Sequence, residues 1–356
     1  MNTTKVQHYD IVCDWATLKR SYKQTQREQR KYRREHILFD MARERNLVSL
    51  WRELKAESYS PGSYIQFKVF EPKERQISAP HIKDKVVQYA AHMALWEAYK
   101  DVLIKDTYGC ILGRGTHKAV DRTQHFMRLC KWRHGDCWVL KMDVKKFFYT
   151  IDREILKGLL RKRIKDERFL RLMDAIIDSS PEGDVGLPLG NVTSQDLANI
   201  YLNEVDQYAK RFLGLQYYVR YMDDIIVCLP TKEDAQRTLV YLRDFIRERL
   251  RLELNAKTKI FPHSQGINAY GFRIHTTHKQ VRTSSKQAMK RRIRAMAWKM
   301  KNRKLPYKRV QLAVNSWLGH ARHSNSYNLA KKIFRRYPFV TVEHKEYKFG
   351  RKPNTS

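Results

Sequence analysis

Hydrophobic and polar positions alternate along this chain with two periods, one helical and one of strands. Residues 14–58 contain neither Pro nor Gly before Pro61-Gly62 and predict helix. Tyr64 to Phe70 (YIQFKVF) alternates aromatic or aliphatic with polar residues, as a half-buried strand does. Glu71 to Glu74 is turn-like and Arg75 to Ala79 returns, so 64–79 predicts a hairpin that Pro80 ends. Val86, Val87, Ala90, Ala91 and Ala94 place the inward face of a helix over 84–99. Gly109, Gly113 and Gly115 punctuate a loop, and a helix follows over about Thr116–Trp132. Cys137 to Val144 (CWVLKMDV) predicts a strand, 153–178 a helix, Asp178 to Gly190 a loop, and Thr193 to Phe212 a long helix. Two short strands, Tyr217–Arg220 and Ile225–Leu229, flank Tyr221-Met222-Asp223-Asp224. A helix over 232–250 and a strand over Ala269–His275 complete the pattern. Helices mixed with mainly antiparallel strands and no internal repeat make the fold class α+β.

Composition narrows the partners. The chain has 356 residues, 42% hydrophobic, enough for about two domains with real cores. Lys and Arg number 71 against 37 Asp and Glu, a net charge of +34, which calls for a polyanion. Nucleic acid fits best, and an acidic membrane surface is the weaker alternative. No run approaches a membrane span, the N-terminus has no apolar signal core, and five cysteines suggest reduced thiols, so a cytoplasmic protein is expected. The charge is uneven: Leu254 to Val342 contains no Asp or Glu but 21 Lys and Arg. Ile293, Met296, Ala297 and Met300 recur there at helical spacing, which predicts a folded basic element gripping a duplex, with Trp298 off the stripe. A second basic run, Lys19 to Arg34, interleaves Tyr22 and Tyr32 and reads as an exposed helix.

Two acidic positions carry the candidate chemistry. Asp143 ends an apolar strand, and Asp223-Asp224 sit in a tight turn, type I′-like, between two strands. A solvated hairpin would accept one Asp without comment, but two adjacent carboxylates repel unless a cation relieves them, and hard oxygen ligands suit Mg²⁺. With Asp143 as the third carboxylate, the set fits a site for two ions and phosphoryl transfer. His125, Cys130, His134 and Cys137 also cluster, but Cys130 and Cys137 are too far apart in sequence for a zinc knuckle, so buried free thiols are expected.

These residues resemble reverse transcriptases over roughly Tyr64 to Tyr327. Tyr221-Met222-Asp223-Asp224 is similar to the family signature. Arg75-Gln76-Ile77-Ser78-Ala79-Pro80 with Asp84 and Gln88, and Gly109 to Thr116, resemble its fingers motifs. Lys141 to Ile151, Gly186 to Asn199, Leu254 to Ile260 and Tyr270-Gly271-Phe272 resemble its palm motifs. The resemblance implies a right hand: a basic helical N-terminal extension at 1–60, fingers at 61–140, a palm at 141–275 with a fingers insertion at about 155–188, a helical thumb at 276–340 and a tail at 341–356. It implies Asp143, Asp223 and Asp224 as metal ligands, with the Val144 carbonyl a further one. Phe148 matches a steric gate against a ribose 2′-OH, or packs as ordinary core. Arg75, with Lys73 assisting, matches a clamp on the incoming triphosphate. Lys257 matches a lysine that protonates pyrophosphate, or is one surface lysine among many.

Relatives read Gln-Gly, three residues, then Ser-Pro before the long palm helix. This chain reads Leu189-Gly190-Asn191-Val192-Thr193-Ser194-Gln195. That departure, with Ser316 to Tyr327, resembles reverse transcriptases of diversity-generating retroelements. These copy a template-repeat RNA into cDNA, misincorporate opposite adenines and diversify a target gene. Expected partners are template RNA, the RNA–cDNA duplex, deoxynucleoside triphosphates and a small basic accessory protein forming an oligomeric barrel. RNA or a local acidic patch would mediate that last contact, since both proteins are basic; Asp166 to Asp184 holds several carboxylates. The resemblance implies that Leu189 and Gly190 lie at the nucleotide; Leu189 can neither donate nor accept where relatives place Gln beside the nascent pair, and an apolar wall discriminates weakly. Group II intron- or retron-type polymerases are the nearest alternative; a non-catalytic RNA-binding scaffold or maturase is the alternative from another class.

Overall fold

A computed structural model describes residues 7–27, 34–70, 74–181, 183–302 and 304–337. The expected single helix over 14–58 starts earlier and is broken: α1 (His8–Cys13), α2 (Trp15–Arg27), α3 (Arg34–Met41) and α4 (Arg43–Lys55). Asp14 makes the first break, accepting the Thr17 N–H at 2.7 Å and so capping α2. Tyr32 of the basic run lies outside the described residues. The hairpin forms as expected from β1 (Tyr64–Val69) and β2 (Arg75–Pro80), followed by α5 (Ile82–Tyr99) and α6 (Thr116–His134). Next come β3 (Trp138–Asp143), the short α7 (Phe147–Thr150), α8 (Arg153–Arg163) and α9 (Glu167–Asp178). The helix expected over 153–178 is thus two. Asp166 interrupts it, accepting from the Arg168 and Phe169 N–H groups to cap α9 and from the Tyr9 N–H at 2.8 Å to seat α1. The long helix α10 (Thr193–Gln207) runs into a π-helical turn at Tyr208–Phe212, then β4 (Tyr218–Tyr221), β5 (Asp224–Leu229) and α11 (Lys232–Leu250). The chain continues through β6 (Lys259–Pro262), β7 (Ile267–Ala269), β8 (Phe272–Ile274) and β9 (Lys279–Val281), and the helices α12 (Thr283–Lys301), α13 (Tyr307–Ala321) and α14 (Tyr327–Phe334).

The central sheet is antiparallel in the order β4-β5-β3-β6, and both its faces are covered. Leu140, Met142, Tyr218, Ile225 and Val227 point into the large core shared with α1, α2, α4, α5, α8, α9, α10 and α11. The alternate residues Val139, Val219, Ile226 and Cys228 point the other way, against α6 and the three-stranded sheet β7-β8-β9. Burial on both faces explains why these strands are nearly all apolar until their ends. Apolar side chains of α12, α13 and α14 form a separate third core around Ile293, Val310, Val314 and Phe334. Met296 and Met300 pack there as the helical stripe predicts, and Trp298 is 58% exposed beneath Lys304. No described helix is long and apolar enough to cross a membrane.

A wholly buried ion pair ties β4 to α10. Arg220 donates from Nε and Nη2 to the two oxygens of Asp206 at 2.7 and 2.6 Å, and from Nη1 to Asn199 Oδ1 at 3.0 Å. Asp206 also accepts from the Tyr218 and Thr107 hydroxyls, so its lone pairs are filled. Such a pair is tolerable in the interior only with full hydrogen bonding.

The C-terminal helices are seated on polar contacts. The Asn325 N–H donates to the Lys279 carbonyl at 2.8 Å, and Lys279 pairs with Asp121 of α6. His117 of α6 stacks on His323 with ring centroids 3.4 Å apart, and His320 lies against Phe272. Burial, then the neighbouring histidines, lower the His117 pKa; burial, then Arg322, lower that of His323, while Asp121 opposes both.

Two outcomes are expected. Asp206→Asn leaves the Arg220 charge uncompensated and costs about 3–5 kcal/mol, read from the denaturant midpoint. The folded His117 and His323 bind protons less readily than the unfolded value of 6.5. Their contribution is therefore complete above that value and is lost as pH falls below it toward the folded values. Hydrogen-exchange protection in α13, taken relative to the intrinsic rate at each pH, should fall between about pH 7.5 and about pH 5.5, less so in His323→Phe.

Candidate active site

The acidic residues gather at one end of the central sheet. Asp143, last in β3, lies directly opposite Asp224, first in β5. Asp223 occupies the turn between β4 and β5, whose closing pair is Tyr221 and Asp224. Met222 takes a left-handed φ of 52° and Asp223 does not, so the turn is not type I′ as the sequence suggested. Tertiary contacts hold Met222 in that conformation. Its carbonyl accepts from Arg220 Nη1 at 3.1 Å, and Gly109 passes beneath it. A Cβ on Gly109 would fall 2.5 Å from Met222 Cγ and 2.7 Å from its backbone N. Asn199 joins the two contacts, donating to the Gly109 carbonyl at 2.9 Å while accepting from Arg220.

The carboxyl groups of Asp143 and Asp223 are close enough that each shifts the proton affinity of the other. Burial, then the charge of Asp143, push the Asp223 carboxyl up to about 6. Burial, then Asp224, raise Asp143, while Lys141 and Lys257 oppose. Two carboxylates pressed together in this way hold either a proton or a cation. Asp224 instead pairs with Lys141 Nζ at 3.4 Å. Among the described residues no three His, Cys, Asp or Glu side chains converge on one point. The donor set still fits a hard divalent cation: two facing carboxylates and a third across the strand pair. Val144 bridges Leu254, flanked by the bonds Lys145 N–H to Glu253 O (2.8 Å) and Asn255 N–H to Asp143 O (2.7 Å). In that pattern the Val144 carbonyl points away from Leu254, toward the side of β3 where β5 and Asp223 lie. Asn255 also brings Lys257 beside Asp143, accepting from the Lys257 N–H at 3.1 Å.

A second group of expected residues meets where the hairpin joins the body. The Leu187 N–H donates to the Phe148 carbonyl at 2.7 Å, and the Ser78 N–H to the Leu189 carbonyl at 2.9 Å. Gly190 runs so close under β2 that a Cβ would stand 2.3 Å from the Ser78 carbonyl oxygen. Asn191 donates to the Tyr64 hydroxyl at 2.9 Å, and the Val192 N–H to Gln88 at 3.0 Å. One loop thus links Phe148, Leu189 and the strand that carries Arg75. Phe148 and Leu189 are half-buried and Arg75 is exposed. Asp84 accepts from the Tyr59 hydroxyl and Gly62 N–H, so within the first motif it shapes the hairpin root. Lys73 lies outside the described residues. Cys130, Cys137 and Cys228 are buried free thiols, and His125 and His134 are exposed.

Sequence reasoning passed over Arg220, Asp206, Asn199 and Lys141. Two signals were available: an arginine inside an apolar strand, and Asn199 and Asp206 seven residues apart on one face of α10.

The chain is similar to protein YkfC of Escherichia coli (strain K12), 28% identical over 58% of this chain and 66% of YkfC. It is similar to the group II intron-encoded protein LtrA of Lactococcus lactis subsp. cremoris, 24% identical over 62% of this chain and 48% of LtrA. The chain therefore spans about two thirds of one relative and half of the other. Among solved structures, telomerase from Candida tropicalis in complex with a TWJ fragment of telomeric RNA superposes with a TM-score of 0.49 at 13% identity. That match covers 66% of this chain and 49% of the telomerase, and is too slight to carry weight here. Residues 68–274, more than half of the chain, match the reverse transcriptase (RNA-dependent DNA polymerase) family, and the chain belongs to that family.

Proposed function

We propose that this chain is an RNA-directed DNA polymerase of a diversity-generating retroelement, copying a template-repeat RNA into cDNA with errors opposite adenine. The observation that carries the polymerase is the pairing of Asp143 with Asp223 at the end of a sheet, with Asp224 across from them. Asp143, Asp223, Asp224 and the Val144 carbonyl would hold two Mg²⁺ ions. When bound, these supply activation of the primer 3′-hydroxyl and charge neutralisation at the triphosphate. Arg75 grips the triphosphate with its planar fork, helped by Lys73. Phe148 excludes a ribose 2′-OH, and Gly190 lets the Leu189 loop lie flat under β2. Lys257, whose charge is felt at Asp143, would hand a proton to the departing pyrophosphate.

The thumb (276–340) and the N-terminal helices (1–60) hold template RNA and the RNA–cDNA duplex through phosphates and shape, in keeping with their excess of Lys and Arg. An oligomeric basic accessory protein would meet this chain through RNA. Three carboxylates of the 155–188 insertion are engaged internally: Asp174 with Arg161, Asp178 with Lys157 at 2.8 Å, and Asp166 as a helix cap. A second reading, an intron-type polymerase, is favoured by the likeness to a group II intron-encoded protein. Leu189 in place of Gln favours the first.

Primer extension on an RNA template with Mg²⁺ and all four deoxynucleotides separates them. The expected product is cDNA with errors concentrated at template adenines, and none from Asp223→Ala. Accurate cDNA would instead support the intron-type reading. Silence even with accessory protein and cognate RNA present would remove the polymerase. Leu189→Gln should lower adenine errors at unchanged yield; an unaltered error spectrum would discard the role given to Leu189.

A further inference from the structure

Lys141 has no part in the reading so far, yet it is the cation nearest to the acidic centre on its own strand. β3 places Lys141 and Asp143 on the same face, two residues apart, and the ladder sets Asp143 opposite Asp224 and Lys141 opposite Ile226. Lys141 is therefore diagonal to Asp224, and its Nζ lies 3.4 Å from Asp224 Oδ1. The same Nζ donates to the Asn268 carbonyl of β7 at 3.0 Å, which tethers the ammonium beside Asp224. Its side chain is 22% exposed and that of Asp224 32%. Like charges directly opposite one another in a ladder destabilise it, and Asp143 and Asp224 are such a pair. Lys257, the other cation felt by Asp143, sits on an exposed turn.

We infer that Lys141 is an internal counter-ion of the acidic centre, a positioning residue that holds Asp224 while no divalent cation is bound and competes with that cation for it. The inference rests on the reading of Asp143, Asp223 and Asp224 as metal ligands. Two charges bid for one carboxylate, so occupancy by Lys141 lowers the affinity for the ion. The Asn268 carbonyl gives the ammonium a partner to keep when Asp224 turns away, so the exchange strands no charge. The competition also keeps the empty centre from carrying three uncompensated carboxylates, which suits a site that must accept a triphosphate bringing four negative charges of its own.

The test is Mn²⁺ binding to the full chain, followed by electron paramagnetic resonance without nucleic acid or nucleotide. Lys141→Met should tighten binding about fivefold, the worth of a partly exposed pair. Lys141→Arg, which restores the charge, should return it to the parent value. In an Asp224→Asn background, Lys141→Met should lose most of its effect, because the ion pair it breaks is with Asp224. A Lys141→Met affinity equal to or weaker than the parent would overturn the inference while leaving the metal site in place. Loss of Mn²⁺ binding in Asp223→Asn confirms that the signal reports this centre. A parent chain that binds no Mn²⁺ would overturn both the metal-ligand reading and the counter-ion built on it. Thermal unfolding of each variant shows whether altered binding arises from altered folding.

Discussion

The acidic turn stands on one buried ion pair. Arg220 and Asp206 are without solvent contact, and a charge in such a place must be fully satisfied or the fold fails. Once Asp206 on α10 holds two guanidinium nitrogens, the third has a fixed direction, toward Asn199 and the Met222 carbonyl. That fixes β4 against α10, the left-handed Met222, and with it the position of Asp223. Asn199 carries the constraint on to Gly109, so the loop between α5 and α6 joins the same unit. A carboxylate that must meet a partner within a fraction of an ångström is best supported by groups that cannot move.

Elements whose pattern depends on neighbouring residues were legible in the sequence. The hairpin, α5, α6, the central strands and the stripe of α12 all follow from periodicity because each buries a face along its own length. The long helix read from 153–178 was not single, because Asp166 ends one turn by capping the next helix; likewise the helix read from residue 14 is preceded by α1, which Asp14 ends by capping α2. Asp14 and Asp166 look like helix surface to a periodicity argument; only their bonds to Thr17 and to Phe169 and Tyr9 distinguish them. The turn type at Met222-Asp223 was misjudged for a related reason. Local preference selects a type I′ turn, but Arg220 and Gly109, distant in sequence, select the conformation found.

The candidate site divides in the same way. Asp143, Asp223 and Asp224 could be named from sequence because they are charged where the strands are otherwise apolar. Their separate situations could not. The ladder sets Asp143 opposite Asp224, the turn brings Asp223 to the same end of the sheet, and Asp224 is drawn to Lys141, which a bond to β7 tethers. Gly190 was expected at the nucleotide, and its visible constraint is the backbone of Ser78 passing 2.3 Å from where a side chain would begin.

The hairpin has a mechanical consequence. Ile65, Phe67 and Val69 are exposed along β1, so the arm packs against little along its length and keeps its shape through its ladder with β2. Its firm attachment is at the root, where Ser78 and Pro80 are buried and Ser78 is bonded to Leu189. A rod fixed at one end is a lever, and here the fulcrum is the Leu189 carbonyl. A load on the outer residues, Arg75 among them, turns into torque on the loop below, so whatever weighs on the arm is felt at Leu189 without touching it.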